Sequence, residues 1–176
     1  MRTERLPWEI VETFPSTDEA LVADWDHAVG SAASDRELAR ALVGRALALY
    51  WAVQEGVLDT PWIRVAERRS GDLDRAVELA RAVGDADLLA EALLGVLYGT
   101  WGPDRLLDRG PIIDELSLLH GDVSDEELRL RIIEWQVLQH LDAADLDAVR
   151  RSIDDFSCAS ADTELVLFRR REVLWR

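Results

Sequence analysis

The sequence contains no lysine: all 20 of its basic residues are arginine, and with 35 acidic residues the formal net charge is -15. This absence excludes two classes of enzyme, because a P-loop needs a lysine on the nucleotide phosphates and a pyridoxal enzyme needs a Schiff-base lysine. The negative charge also opposes contact with a phosphate backbone, which proteins bind by neutralising it with Lys and Arg. We therefore expect no direct binding to nucleic acid.

Cysteine, metal-binding motifs and long apolar runs are also scarce. Cys158 is the single cysteine, which excludes an intramolecular disulfide, and we interpret it as a helix-packing residue. The 3 histidines form no zinc motif and the acidic segment 142–155 lacks the Gly and Glu of an EF-hand, so we expect no metal and no cofactor. The longest apolar stretch, residues 41–53, is interrupted by Arg45 and is shorter than the roughly 20 residues that span a bilayer. Because the N-terminus also lacks a signal-peptide pattern, we expect a cytoplasmic protein without membrane contact.

Helix start and stop signals are abundant in the chain. Serines three residues before a glutamate predict capping boxes, and glycines followed by Asp or Pro predict helix ends. The serines are Ser16, Ser34 and Ser124, and the glycines are Gly71, Gly84, Gly102 and Gly121. The predicted helices cover residues 17–29, 35–55, 62–83, 86–101, 104–120, 125–141, 145–157 and 162–175. No credible strand is present, so the fold is predicted to be all-α.

At three positions with a glycine, the sequence raises the question whether a helix continues or ends. Gly71 lies within the third helix, which we predict to be either continuous or broken there. Gly110-Pro111 lies within the fifth helix, and we expect that helix to kink or split because proline lacks a backbone donor and crowds the preceding turn. Gly102-Pro103-Asp104 is predicted to be a joint between two helices rather than a ligand-binding loop, since Gly ends one helix and Asp caps the next.

The helical pattern repeats along the chain. Residues 37–51 align with residues 87–101, and residues 88–97 align in turn with residues 128–137. Each of these helices is followed by a more polar one, and such helix-turn-helix units are typical of an α-solenoid. The sequence therefore predicts a tetratricopeptide-like α-solenoid of stacked helical hairpins with about seven to eight helices.

One part of the chain resembles a known family. Residues 75–122, RAVELARAVGDADLLAEALLGVLYGTWGPDRLLDRGPIIDELSLLHGD, continuing through residues 128–156, resemble the tetratricopeptide-like region of large bacterial ATP-binding LuxR-type transcriptional regulators. The resemblance covers residues 35–176, which are predicted to be the helical-repeat domain, after an N-terminal arm and capping helix over residues 1–34. It implies a scaffold for protein contacts or for sensing an inducer. No ATPase sequence precedes the repeats and no DNA-binding module follows them, so we expect neither activity in this chain.

Aromatic residues recur in the first helix of each predicted unit. The series is Tyr50, Trp51, Tyr98, Trp101 and Trp135, with Trp175 in the last helix. First helices line the concave face of a solenoid, so these rings are predicted to form a groove for a peptide or a flat apolar ligand. Gln139 and His140 follow with hydrogen-bonding groups. Core packing is the alternative interpretation of the same helical spacing.

The last predicted helix carries basic and aromatic residues on an otherwise acidic chain. Arg169, Arg170 and Trp175 are predicted to form a docking end, because this helix is the first of a unit whose second helix is missing. We expect homodimerisation through this end. The alternative is that these arginines only favour the negative C-terminal end of the helix.

Two functions from different classes follow. The preferred hypothesis is a non-enzymatic, regulatory scaffold that binds a protein or peptide partner along the face with Trp51, Trp101 and Trp135. The alternative is a small-molecule-binding or enzymatic helical protein that holds an apolar metabolite in an aromatic-lined pocket, with Glu134 or His140 assisting. No spacing of carboxylates indicates acid–base catalysis, which favours the scaffold. A regulatory fragment detached from an ATPase regulator is a third interpretation.

Overall fold

In the computed structural model the described residues are 19–54, 56, 61–99 and 106–161, and every regular element among them is an α-helix. These ranges contain seven helices: α1 (Glu19–Ser31), α2 (Asp35–Gln54), α3 (Trp62–Val83), α4 (Ala86–Gly99), α5 (Leu106–Leu119), α6 (Glu126–Asp142) and α7 (Leu146–Ser160). The prediction of an all-α fold is confirmed for this part of the chain, and the predicted starts of α2, α3 and α4 agree with the structure. The helix predicted over 162–175 lies outside the described residues. None of the described helices combines the length and apolarity needed to cross a bilayer.

The chain divides into two compact units, Met1–Trp101 and Gly102–Arg176. In the first unit, α2 packs against α1, α3 and α4, and α3 also packs against α4. In the second unit, α6 packs against both α5 and α7. The division of the sequence into an arm over residues 1–34 and a repeat domain over residues 35–176 stays a prediction.

The start of α2 shows why a serine at this position begins a helix. Ser34 Oγ accepts a hydrogen bond from the Glu37 N–H at 3.2 Å, which satisfies one of the unpaired donors of the first turn. The Glu37 carboxylate reaches back and accepts from the Ala33 N–H at 2.7 Å, one residue before the serine. The predicted capping box is confirmed, with its return bond shifted by one residue.

The predicted cap of α6 is wrong by one residue. Asp125, rather than Ser124, caps this helix and accepts from the Leu128 N–H at 3.0 Å. A carboxylate also interacts with the positive end of the helix dipole, which a hydroxyl does not match. Glu127 therefore lies within the first turn and pairs with Arg131 at 2.6 Å. The box predicted at Ser16 lies outside the described residues.

Two of the helices continue through positions at which the sequence allows an interruption. α3 continues through Gly71, in agreement with the continuous alternative, and α5 continues through Pro111, so it does not split there, while a kink at Pro111 stays a prediction. In α5 the residues beyond the proline are held by burial, since Ile113 and Leu116 are 2% and 0% exposed. Gly84, in contrast, ends α3 in the left-handed conformation with φ 71° and donates its N–H to the Ala80 carbonyl at 3.1 Å, as predicted. The Gly102-Pro103 joint lies outside the described residues.

Glycines let the helices of the first unit approach closely. A Cβ atom at Gly44 of α2 would lie 2.5 Å from Cη2 of the buried Trp25 in α1. A Cβ atom at Gly95 of α4 would lie 2.7 Å from Cγ1 of Val43 in α2. Both distances are shorter than any ordinary contact, so the crossings of α2 with α1 and with α4 require glycine.

An arginine cluster ties three helices of the first unit together. Arg45, which interrupts the longest apolar stretch, donates from Nε and Nη2 to both carboxylate oxygens of Asp72 at 2.8 and 2.6 Å. Its Nη1 donates to Asp26 of α1 at 3.2 Å, and Arg68 of α3 pairs with the same aspartate. These bonds, led by the one to Asp72, raise the pKa of Arg45 above its usual value. The forked guanidinium therefore links α2 to α1 and α3 at once.

A second set of ion pairs joins α2 to α4. Arg40 Nε donates to Oε2 of Glu91 at 2.9 Å, and Glu91 is only 1% exposed. Arg36 pairs with Asp85, which also caps α4 by accepting from the Leu88 N–H at 2.8 Å. The backbone bond first and Arg36 second hold the pKa of Asp85 below its usual value. The buried glutamate thus has a cationic partner in place of the water it lost.

Candidate functional site

The predicted aromatic series has one cluster in the first unit. Tyr50 and Trp51, near the C-terminal end of α2, pack edge to face with ring centroids 5.3 Å apart and an interplanar angle of 85°. Both are half-buried, and Trp51 packs against the apolar cluster that contains Trp25 of α1. The guanidinium of Arg69 in α3 lies over the Tyr50 ring at 5.0 Å. The arrangement is a cation–π contact on a half-exposed aromatic pair.

Arg69 also reaches the C-terminal end of α4. A Cβ atom at Gly99 would lie 3.9 Å from Arg69 Cδ and 2.8 Å from Cδ1 of Leu73. Tyr98, the residue before this glycine, is half-buried. The ends of α2 and α4 therefore both approach the side chain of Arg69. Sequence analysis did not find Arg69, since nothing in its own segment marks a contact with two other helices.

Trp135 lies in the core of the second unit. Its side chain is 1% exposed, and the guanidinium of Arg109 in α5 lies 6.0 Å from its ring centroid. This burial matches the packing interpretation of the aromatic series. Contact between Trp135 and a partner would require the unit to open, so a binding role for this residue stays a prediction.

Gln139 and His140 lie at the C-terminal end of α6, where the sequence places polar groups after Trp135. Gln139 Nε2 donates to Oδ1 of Asp114 in α5 at 3.4 Å. His140 is half-buried, and its backbone carbonyl accepts the Asp145 N–H at 3.0 Å. Both residues therefore lie next to the turn into α7. Their predicted role in binding depends on which side chains that turn exposes to a partner.

The turn between α6 and α7, residues Leu141–Asp147, is here called the α6–α7 corner. Ala144 has φ 55° in this turn, a left-handed conformation that a glycine adopts more readily. The Asp145 N–H donates to the His140 carbonyl and the Ala144 N–H to the Leu141 carbonyl, both at 3.0 Å. This pattern is a Schellman motif, which satisfies the last carbonyls of α6. Asp145 then caps α7 by accepting from the Ala148 N–H at 3.0 Å.

Every residue of the α6–α7 corner is exposed. Leu146 is 62% and Leu141 43% exposed. The sequence places Leu146, Val149, Ile153 and Phe156 at i, i+3, i+7 and i+10, which predicts that Leu146 lies on the packed face of α7. Val149 and Phe156 of that face are buried as predicted. Leu146 differs because it is the first residue of α7, where the chain is still leaving the turn.

Two titratable side chains have environments that sequence analysis did not foresee. His120, after the end of α5, has a buried Nε2 atom with no hydrogen-bond partner among the described residues. Burial first and the charge of Arg129 second lower the pKa of this imidazole. Cys158 is exposed on α7, so its interpretation as a packing residue is wrong. Among the described residues, no group of three or more His, Cys, Asp or Glu side chains is placed to hold a metal ion.

The remaining predicted site residues are Trp101, Arg169, Arg170 and Trp175, and they lie outside the described residues. Comparison of the chain with protein-family models, with curated proteins and with solved structures gave no match. The resemblance to the tetratricopeptide-like region of LuxR-type regulators stays a prediction.

Proposed function

We propose that the protein is a non-enzymatic helical-repeat scaffold of the tetratricopeptide-like solenoid type, which binds a protein or peptide partner. The observation that carries the proposal is the packing of α2 against both α3 and α4. In a solenoid of helical hairpins, a first helix contacts its own second helix and the first helix of the next hairpin. The sequence repeat, which aligns residues 37–51 with residues 87–101, assigns α2 and α4 to these equivalent positions.

The half-buried aromatic pair supports a partner of protein or peptide class. Tyr50 and Trp51 keep part of their rings accessible, and Arg69 lies against one of them at 5.0 Å. Tyrosine, tryptophan and arginine are the residue types most enriched at the energetic centres of protein interfaces. Their positions are also fixed by packing on α1 and α3, so binding orders few side chains that are not already ordered.

Photocrosslinking tests this surface directly. Benzoylphenylalanine, introduced in turn at Tyr50 and Tyr98, replaces one aromatic ring by another, and Asp74, an exposed residue of α3, is the control position. After irradiation in a native extract, we expect a discrete protein adduct at Tyr50 and Tyr98 and none at Asp74. Equal adducts at the three positions, or none at any, would refute the proposed surface. An adduct with the mass of a small metabolite would favour the small-molecule alternative.

Three further parts of the proposal concern the setting of the scaffold. We propose a regulatory role in a bacterial cytoplasm, an absence of direct nucleic-acid contact, and homodimerisation through Arg169, Arg170 and Trp175. The negative charge of the chain supports the second part. Sedimentation equilibrium tests the third, because a monomeric mass for the full chain would refute the dimer.

A further inference from the structure

The α6–α7 corner exposes apolar side chains on a fixed backbone. Leu141 and Leu146 are 43% and 62% exposed, and the alanines between them are exposed as well. Single exposed leucines are common on protein surfaces, but here they fall within one seven-residue turn. The corner is therefore a local apolar surface rather than a scatter of isolated residues.

The geometry of the turn holds these side chains outside the unit. Schellman motifs are frequently accompanied by an apolar contact between the residues at their two ends. Here those two positions are His140 and Asp145, which are polar, so the turn is held by its backbone hydrogen bonds and by the Asp145 cap on α7. Leu141 contributes only its backbone carbonyl to this turn, and the side chains of Leu141 and Leu146 present a preformed surface to solvent.

Carboxylates alternate with the apolar residues of the α6–α7 corner. Its sequence is LDAADLD, and the side chains of Asp142 and Asp147 are 49% and 80% exposed. Arg109 approaches Asp142 only to 4.0 Å, and Arg150 lies 3.4 Å from Asp147 as its neighbour on the same helix. The Arg150–Asp147 pair is exposed at both partners, so it contributes little and is readily exchanged for another cation. In the other pair the Arg109 side chain is only 9% exposed, and Asp142 alone is open to solvent. An apolar surface with an acidic rim is complementary to a segment that is apolar and basic.

We propose that the α6–α7 corner docks a basic segment of a partner protein, one that carries leucine or similarly large apolar side chains. The inference rests on the proposed scaffold function and gives the chemistry of its partner. A second copy of the chain that presented the same corner fits less well, because the carboxylates of the two corners would face each other and like charges in contact are unfavourable. Gln139 and His140, at the edge of the corner, supply hydrogen-bonding groups to the same segment.

The test is a titration of the isotope-labelled full chain, followed by NMR, with a synthetic helical peptide that has leucines on one face and arginines on the other. One comparison peptide replaces each arginine by glutamate, and another replaces each leucine by serine. The double variant Leu141→Ser/Leu146→Ser removes the apolar surface of the corner. Leu118→Ser is the matched control, since Leu118 is 85% exposed on α5 of the same unit.

We expect amide shifts centred on residues 141–147, affinity weakened by about tenfold or more in the double variant, and unchanged affinity in Leu118→Ser. Both comparison peptides should bind more weakly. The substituted leucines are exposed, so the melting temperature of each variant should stay close to that of the wild-type chain, and circular dichroism checks this.

Several results would overturn the proposal. They are an absence of peptide binding, equal binding of the glutamate peptide, or binding that the double variant and Leu118→Ser weaken alike. A sedimentation mass that falls from dimer to monomer in the double variant would make a second copy the occupant instead. Photocrosslinking at Tyr50 and Tyr98 is measured separately, so a failure at the corner and a failure of the aromatic surface are distinguishable.

Discussion

Replacing Gly44 by alanine would place a methyl group against the ring of Trp25. The added Cβ would lie 2.5 Å from Cη2, where ordinary contact begins at 3.4 Å, so the indole must retreat by about 1 Å. Trp25 is 3% exposed, and overpacking of this kind destabilises by about 1–3 kcal/mol. Alanine recovers about 1 kcal/mol of helix propensity, so we expect a net loss of up to about 2 kcal/mol.

Urea denaturation followed by far-ultraviolet circular dichroism measures this loss. Gly71→Ala is the matched control, because the same substitution in α3 meets nothing within 4 Å and should stabilise by about 0.5–1 kcal/mol. Trp25→Phe, which replaces the indole by the smaller phenyl ring, should reduce the loss of stability caused by Gly44→Ala in a double-mutant cycle. The overpacking cost is the difference between the two variants, so Gly44→Ala should be about 1–3 kcal/mol less stable than Gly71→Ala. If the two variants are equally stable, the close crossing of α1 and α2 is refuted.

Three further predictions concern single residues. Ala144→Gly should raise the stability by about 1 kcal/mol, because glycine adopts the left-handed φ of 55° without strain, and a lower melting temperature would contradict this. Arg45→Ala should lower the stability by about 2–3 kcal/mol, since Asp72 at 8% side-chain exposure loses its bidentate partner. The stability of Arg45→Lys should lie between those of the wild type and Arg45→Ala. Equal denaturation midpoints for the three proteins would refute the role of Arg45 in joining α2 to α3. Burial lowers the folded pKa of His120, so the unfolded chain takes up the proton first. The stability that this neutral imidazole contributes above pH 6.5 should therefore be lost as the pH falls through the folded pKa. Denaturation midpoints measured from pH 7 to 5 should fall with pH, and His120→Gln should make this fall smaller.

Helix boundaries could be predicted where the local signal and the packing agree. Ser34 begins α2 because its side chain satisfies the first turn wherever the rest of the helix lies. The same stop signal, a glycine followed by an aspartate, occurs at Gly71-Asp72 and at Gly84-Asp85, but a helix ends only at the second. Asp72 must face Arg45 and is 6% exposed, so α3 continues through Gly71, whereas Asp85 caps the next helix. The Gly-Asp dipeptide alone does not show whether its aspartate pairs with an arginine of a neighbouring helix or caps the helix that follows.

The candidate site could be predicted only in part, for the same reason. The helical spacing found Tyr50 and Trp51 because aromatic residues stand out in a first helix. It did not find Arg69, whose contact with Tyr50 depends on the crossing of α2 and α3. It also placed Leu146 on the packed face of α7, because periodicity does not show where a helix leaves its turn.

Asp145 serves two helices at once. Its N–H closes the end of α6 on the His140 carbonyl, and its carboxylate begins α7 on the Ala148 N–H. A displacement of Asp145 therefore disturbs the end of α6 and the start of α7 together. We therefore expect the amides of Asp145 and Ala148 to exchange their hydrogens with deuterium in a single coupled opening. The two hydrogen bonds of Asp145 then make the junction a stiff joint between α6 and α7.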